Sequence, residues 1–599
     1  MSGEQWFAAA NPANGVSPVS KSSHVAAFID AEEYFTTLRR EVEATSAGGQ
    51  VCWIGFEAHG DTPMPGAPAT GTSSSPVVKS FPPRAANAGD ATWFEVLEAA
   101  AGRGVAIRAL LNLHPKPDLS PTAPKKWRTS NYDLVDKLNS LPGCLAINDF
   151  RYLQMNGTHH QKLVLVYNLN GLSAFGGTCD VEYARIVNRW CELHLKVTGE
   201  SAGELYDVFA RRWAEHTAVF QRAGSVRSFL KPRSSLRLTT PTSGNFLSQV
   251  TTTYGNPQRM NPFDTVVTLP PAPQQLVNRP HRLTIHSDSI AISTALLVAG
   301  APVFVGNDFF TEAYAPAAGY LREAGQQNPT YAFAAAGHTG IYEAVKKAIA
   351  QTRETIYLED QYLVADLTIG RLTSVLELLI AKVQEKQFKK LVILTTRIDD
   401  INEEFQFTGW AHRGNIIGSL AAAAPDKVVI TQYKSRKDLG SSFGEPHQGA
   451  FYIHSKTWIF DDLYLLTGSA NNNRRGYSHD SELDIGVYDQ DKSFVRNLRI
   501  RLWRSRLNTQ GSLRSPLQDG DVADFVSGAK YWEKPGDWGL ALESNREKTL
   551  EPIKHPDLNL STYRARITGA TGIALTLKEG IDSLKMSGLW DFIVDPDGT

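Results

Sequence analysis

Cysteine is scarce in this chain, with four in 599 residues: Cys52, Cys144, Cys179 and Cys191. Four thiols cannot staple so long a chain, so a disulfide framework is excluded as the basis of the fold, and a reducing compartment suits it. A surplus of positive charge is also missing. Lys and Arg total 61 against 62 for Asp and Glu, a net charge of −1. Bulk charge therefore gives no hold on nucleic acid, and any anion must be gripped locally. The opening residues, MSGEQWFAAANPANGVSP, have neither a basic start nor an apolar stretch, so no secretory leader is expected. Long hydrophobic runs are lacking too. The most apolar segment, Ser289 to Gly306, contains Gly300 and Pro302 and reads as a buried helix–turn–strand, not a bilayer span. Localisation stays open: the chain is expected in the cytoplasm at synthesis, and a non-classical route would be its way out.

The remaining composition, 42% hydrophobic and 21% charged, is that of a globular protein, which excludes disordered, collagenous and coiled-coil classes. A weak internal repeat runs through it. AAFIDAEEYFTTLRREVEATSAGGQVCWIGFE reads as helix, Gly-Gly stop and strand. GIYEAVKKAIAQTRETIYLEDQYL repeats that order, with a helix from Ile341 to Gln351 and a strand from Thr355 to Leu363. A second strand follows in each case, Val105 to Leu113 and Leu391 to Arg397. The fold class is therefore α/β, with two duplicated α-β-α-β-α sandwich halves related by a pseudo-twofold axis and the active site at their interface. The first half spans 1–240, a linker 241–330, the second half 331–515, and an extension 516–599 with one helix, Val522 to Trp532. Asp61 to Asp90 and Lys231 to Arg282, rich in Pro and Gly, read as loop.

The chemistry-bearing segment is IHSKTWIFDDLYLLTGSANNNRRGYSHDSE, Ile453 to Glu482. A strand from Phe451 to Phe460, a turn at Asp461-Asp462 and a return from Leu463 to Thr467 would set His454 and Lys456 on one face, beside Gly468, Ser469 and Asn471. A strand this apolar would not bury a lysine charge without an anion to meet it. A partner segment, Thr158 to Glu192, opens with His160-x-Lys162, turns at Asn170-Gly171 and closes at Gly176-Gly177. Lys162 lies 14 residues before Gly176, and Lys456 lies 12 before Gly468. An even difference should keep the glycines on one face. Glu192 in WCEL parallels Glu482 in DSEL.

These two segments resemble the phospholipase D superfamily, whose signature is His-x-Lys-x4-Asp followed by Gly-Ser/Gly and Asn. The second copy matches at every fixed position. THHQK (Thr158 to Lys162), DVFARRW (Asp207 to Trp213) and IYLEDQYL (Ile356 to Leu363) are similar to segments of eukaryotic-type members, over about two-thirds of the chain. The first copy departs twice: Tyr167 stands at the motif's Asp, and Cys179 at its Asn, with Asp180 one residue later.

The resemblance implies cleavage of a phosphodiester by a histidine pair, with His160 the nucleophile, forming a phosphohistidine, and His454 the acid. Lys162 and Lys456 would neutralise the phosphoryl oxygens, Ser469 and Asn471 would hydrogen-bond them, and Glu192 and Glu482 would hold the histidines' other nitrogens and favour their charged form. Gly177, Asp180, Glu359 and Gln361 are expected at the substrate, Asp461 and Gly468 as structural motif residues, and His159 in packing. No cofactor or metal is implied, because lysines take the cation's role. The expected function is a monomeric phospholipase D working at a phospholipid membrane surface, without nucleic acid. It would release phosphatidic acid from phosphatidylcholine or phosphatidylethanolamine and transfer to small alcohols. Two alternatives stand beside it: a phosphodiesterase for nucleic acid or a small soluble diester, and an inactive lipid-binding relative. A zinc site from Cys179, Cys191, His194, His159 and His160 fits no compact ligand spacing, and Lys162 would repel the ion. Gly440-Ser-Ser442-Phe-Gly444 matches Gly-x-Ser-x-Gly, but its charged loop context is not strand–turn–helix.

Overall fold

The computed structural model describes residues 3–66, 90–112, 131–149, 158–187, 190–216, 229–239, 246–256, 331–366, 369, 372–397, 403–434, 452–508, 516–547 and 550. The segment Ser289 to Gly306, most of the two Pro- and Gly-rich loops, and Gly440 to Gly444 lie outside them.

The first half runs β1 (Ser20–Ile29), α1 (Asp30–Glu43), β2 (Gln50–Gly55), α2 (Trp93–Gly102), β3 (Ala106–Asn112), α3 (Asn131–Ser140), β4 (Cys144–Asp149), β5 (Leu163–Asn168), β6 (Gly171–Gly177), α4 (Tyr183–Val187), β7 (Leu193–Gly199) and α5 (Glu200–Glu215). The second repeats that order: β8 (Phe246–Tyr254), α6 (Gly340–Gln351), β9 (Thr355–Asp360), α7 (Val375–Gln384), β10 (Lys390–Thr395), α8 (Glu403–Ala423), β11 (Val428–Tyr433), β12 (Thr457–Phe460), β13 (Tyr464–Gly468), α9 (Arg474–Ser478), β14 (Glu482–Tyr488) and α10 (Phe494–Leu507). A last strand, β15 (Leu542–Ser544), extends the edge at β11.

All these strands form one sheet in the order β4-β3-β2-β5-β6-β7-β1-β8-β14-β13-β12-β9-β10-β11-β15. Apart from β15 the order reads alike outward from the β1–β8 junction, which is the pseudo-twofold duplication. The sheet is mixed: β2, β3 and β4 are parallel, as are β9, β10 and β11, and the inner strands are antiparallel. Parallel strands require covered faces, and period-2 alternation supplies two apolar sides. In β2, Val51 and Trp53 pack with the core that includes α1, α2 and α3, whereas Cys52 and Ile54 face the core that includes α5. Ser374 and Thr92 close capping boxes with Glu377 and Glu95, fixing the starts of α7 and α2.

Four expectations change. Ala26 to Ile29 belong to β1, so the first helix begins only at Asp30. β8, inside the expected linker, is a central strand joining the halves. The strand expected from Phe451 is not continuous: Phe451 lies outside the described residues, and over Tyr452 to Lys456 there is only a lone bridge at Ile453, the ladder starting at Thr457. The helix expected over Val522 to Trp532 is three short ones, because the Asp524 side chain accepts from Ser527 N and starts a new helix within that span.

The β12–β13 turn is held by one carboxylate. Asp461, at φ 54°, accepts the backbone N–H groups of Arg353, Glu354 and Thr355, each at 2.8 Å. Tyr167, its counterpart, stays in the ladder opposite Gln50 and Leu172. Asp461→Ala leaves three donors unmet and is expected to lower the unfolding free energy by about 2–4 kcal/mol. Urea denaturation checks this, and an unchanged midpoint would contradict it.

Candidate active site

Four short segments meet where the two halves join. Thr158 N donates to Asp480 Oδ1 at 2.9 Å, Ser481 N to Thr158 O at 3.0 Å, and His160 N to Ser481 O at 3.0 Å. Pseudo-symmetrically, Cys191 N donates to Tyr452 O at 2.8 Å, and His454 N and Ser455 N to Cys191 O at 3.0 and 2.8 Å. Each motif histidine is thereby laid against the segment that leads into the other half's β7 or β14.

The glutamates are exchanged as a result. His160 Nδ1 donates to Glu482, with the oxygens at 2.9 and 3.0 Å. His454 Nδ1 lies 2.8 Å from Glu192 Oε1, close but poorly aligned for a hydrogen bond. Both contacts fix the rings through Nδ1 and direct the chemistry to Nε2. Thr178 Oγ1 donates to Glu192 and Ser469 Oγ to Glu482, the latter at 2.5 Å. The same hydroxyls accept from Leu193 N and Leu483 N at 3.0 and 2.9 Å. Ser469 was expected at a phosphoryl oxygen; its hydroxyl instead steadies Glu482.

The lysines complete the set. Lys162 Nζ lies 2.9 Å from His160 O and 3.1 Å from Asp180 Oδ2. Lys456 Nζ lies 2.6 Å from His454 O and 2.9 Å from Gln361 Oε1. Asn471 is buried, and its Oδ1 has no hydrogen-bond partner.

The ladder corrects the alignment of the copies. Gly177 pairs with His194 as Gly468 pairs with Asp484, so Asp180, not Cys179, stands at the place of Asn471. The correct spacing from Lys162 is to Gly177, an odd number longer than that from Lys456 to Gly468. The face is kept because the first hairpin has a two-residue tip and the second a three-residue one. Both glycines are spacers: a Cβ at Gly177 would sit 2.6 Å from Leu193 O, and one at Gly468 2.2 Å from Leu483 O. Gly177 was expected at the substrate and serves the hairpin instead.

Glu359 also moves out of the expected substrate group. Its carboxylate is held by Arg506 at 3.1 and 3.2 Å and by Tyr357 OH at 2.8 Å, and Arg506 reaches Glu192 O at 3.2 Å. It braces the site from behind. His159 takes the packing role: Nε2 lies 2.8 Å from Asp149 Oδ1 and Nδ1 2.9 Å from Ser481 Oγ.

Sequence reading missed five residues. Thr178 could have been found, since it follows Gly177 as Ser469 follows Gly468. Phe56, 4.9 Å from the His160 ring, Trp190 and Tyr452, 5.4 and 6.3 Å from that of His454, and Arg185 carry no local signal.

Burial dominates the electrostatics. It pushes His160 well below the usual imidazole range, helped by Lys162, Lys456, Arg185 and Arg475. His454 is lowered by burial, then by Arg185, Lys456, Lys162 and His160, which places both histidines in one electrostatic neighbourhood. The expectation that the glutamates favour charged rings is thus reversed: desolvation and the cations outweigh them. Burial also lifts Glu192 to about 7 and Glu482 well above its usual range, and lowers Lys456 to about 7.

Glu192 rises from 4.5 in an unconstrained state to about 7 when folded, so folding takes up a proton there. That contribution is complete below pH 4.5 and is lost as pH climbs to about 7. Glu192→Gln removes it. Between these limits the parent is expected to lose about 3 kcal/mol more stability than the variant. Urea unfolding at both ends checks this, and parallel losses would contradict it.

No family model matches the chain. Among curated proteins, phospholipase D A of Dictyostelium discoideum is 26% identical over 215 residues, 30% of this chain and 17% of that protein. Phospholipase D zeta 2 of Arabidopsis thaliana is 24% identical over 228 residues, 31% of this chain and 22% of the relative. Phospholipase D B of D. discoideum is 37% identical over 83 residues, 11% and 7% of the two chains. The matches thus span less than a quarter of these relatives' lengths. The crystal structure of phosphatidylserine synthase from Haemophilus influenzae Rd KW20 aligns over 82% of this chain and 88% of its own, with a TM-score of 0.44 and 9% identity. With both signature copies in place and these relatives in sequence, the chain belongs to the phospholipase D superfamily.

Proposed function

We propose that this chain is a phosphodiesterase of phospholipase D type, hydrolysing the distal phosphodiester of glycerophospholipids to phosphatidic acid and free head group. The observation that carries the reading is the exchanged pair of His–Glu contacts flanked by two buried lysines. Lys162 is paired with Asp180, whereas Lys456 is hydrogen-bonded only to uncharged oxygens; a buried ammonium held in that way is costly, and a phosphodiester supplies the missing negative charge. The lipid substrate class is taken from the curated relatives, which are phospholipases D.

In the proposed reaction His160, its Nδ1–H held by Glu482, attacks phosphorus through Nε2. The P–N bond forms as the P–O bond to the head group breaks, and His454 gives its proton to the departing alkoxide. Water then attacks the phosphohistidine, His454 takes the water's proton, and the P–N bond breaks. An alcohol in place of water gives transfer. For the first step His454 must be protonated although its surroundings disfavour charge. The bound diester's negative charge, set against Lys162 and Lys456, restores its proton affinity. Lys162, Lys456 and the amides of Asn471 and Gln361 receive the phosphoryl oxygens. One chain supplies both half-sites, so a monomer suffices, acting at a phospholipid surface. Among the described residues no helix is long and apolar enough to cross a membrane.

The test is incubation with phosphatidylcholine vesicles and ethanol. Phosphatidic acid and phosphatidylethanol are expected, in EDTA as without it. His160→Ala and His454→Ala should each lower the rate about 10³-fold or more. Cleavage of DNA with lipid untouched would replace the lipid substrate, and inactivity on every diester would overturn the enzyme reading.

A further inference from the structure

Arg185 is a third cation at this site, and no motif position accounts for it. It lies on α4 and is 2% exposed. With Asp180 opposite Asn471, the register sets Gly476 at its place in the second half; counted back from the glutamates, through a segment one residue shorter, the neighbouring Arg475 takes that place and acts on His160. Its guanidinium lies over the Trp190 ring, 4.0 Å from the centroid. Trp190 in turn packs on Tyr452 at 4.5 Å and on His454 at 5.4 Å.

On its other side the same group faces four carboxylates. Nε is 2.9 Å from Glu182 Oε2 and 3.7 Å from Glu192 Oε1, and Nη2 is 3.2 Å from Glu57 and 3.9 Å from Asp180. These do not use up its donors, because Nη1 is buried without a hydrogen-bond partner. One rigid, planar cation therefore touches both groups that define the position of His454: the carboxylate at its Nδ1 and the indole beside its ring. A lysine could supply the charge, but not the flat face or the fork.

We propose that Arg185 is the positioning residue of His454, holding Glu192 and Trp190 in register around that ring and setting its charge balance. The inference takes the role of His454 from the proposed function, but how the ring is held does not depend on that role. The charged groups facing His454 are Glu192, Arg185, Lys456, Lys162 and His160. Arg185 is the strongest of the cations acting on His454, whereas at His160 it ranks behind both lysines. The two rings should therefore respond unequally to its loss.

The experiment uses the full chain labelled with [15N]histidine, following ring resonances against pH, with His160→Ala and His454→Ala providing the assignments. In Arg185→Gln the His454 titration is expected to move up by about one unit, and that of His160 by clearly less. Equal shifts, or none, would overturn the proposal. Arg185→Lys decides independently if the glutamine variant folds poorly. It keeps the charge, so the His454 titration should stay near the parent's. It loses the stacked fork, so kcat on bis(4-nitrophenyl) phosphate should fall about tenfold or more with KM little changed. An Arg185→Lys protein with the parental kcat would overturn the positioning role. A parent chain that cleaves no diester defeats the proposed function, while the ring titrations still decide for or against Arg185.

Discussion

Each of the two central glutamates holds a histidine that belongs to the other half of the chain. The exchange is set by backbone before any side chain takes part. β1 and β8 join the half-sheets, and the segments leading into β7 and β14 then cross the seam to pair with Tyr452–Ser455 and Thr158–His160. Neither half contains a complete His–Glu pair. A carboxylate buried at this depth without its imidazole would lose one polar neighbour that the other half supplies, so the docked arrangement is favoured over either half alone. Thr178 and Ser469 reinforce it, each binding a glutamate and the backbone two strands meet on.

That concentration of buried charge works against stability. Glu192, Glu482, Asp484 and Lys456 are all moved by burial toward their neutral forms. The fold compensates away from the chemistry, where Arg506 is held by Glu359 and Asp30, Arg499 by Asp462, and Arg212 by Asp149. These pairs brace the site on side chains that do not face the reacting group, a division found where function requires groups a fold would otherwise exclude.

What could be read from sequence was what lies close in sequence. The His-x-Lys pairs, the hairpins after them and the Asp461 turn follow from short-range spacing and turn chemistry. β8 was taken for linker because proline and glycine surround it, and β1 was merged into a helix because Ala26 to Ile29 offer no punctuation before Asp30. Which glutamate serves which histidine was hidden, since His160 and Glu482 are 322 residues apart and only the crossing at the seam pairs them. Glu359 looked like a pocket residue because its strand ends at the site; its carboxylate points to Arg506, a partner 147 residues away. The Cys179 misalignment came from counting residues through a hairpin whose tip differs in length between copies.

The duplication is no longer symmetrical where it matters. Asp180 pairs with Lys162 and neutralises part of its charge, whereas Lys456 meets the uncharged oxygens of His454 and Gln361. A perfect twofold would present a phosphodiester with identical surroundings from either end, and its two arms could be swapped without penalty. Divergence of the copies gives the site a polarity, so that its two ends offer unlike surroundings to whatever lies between them.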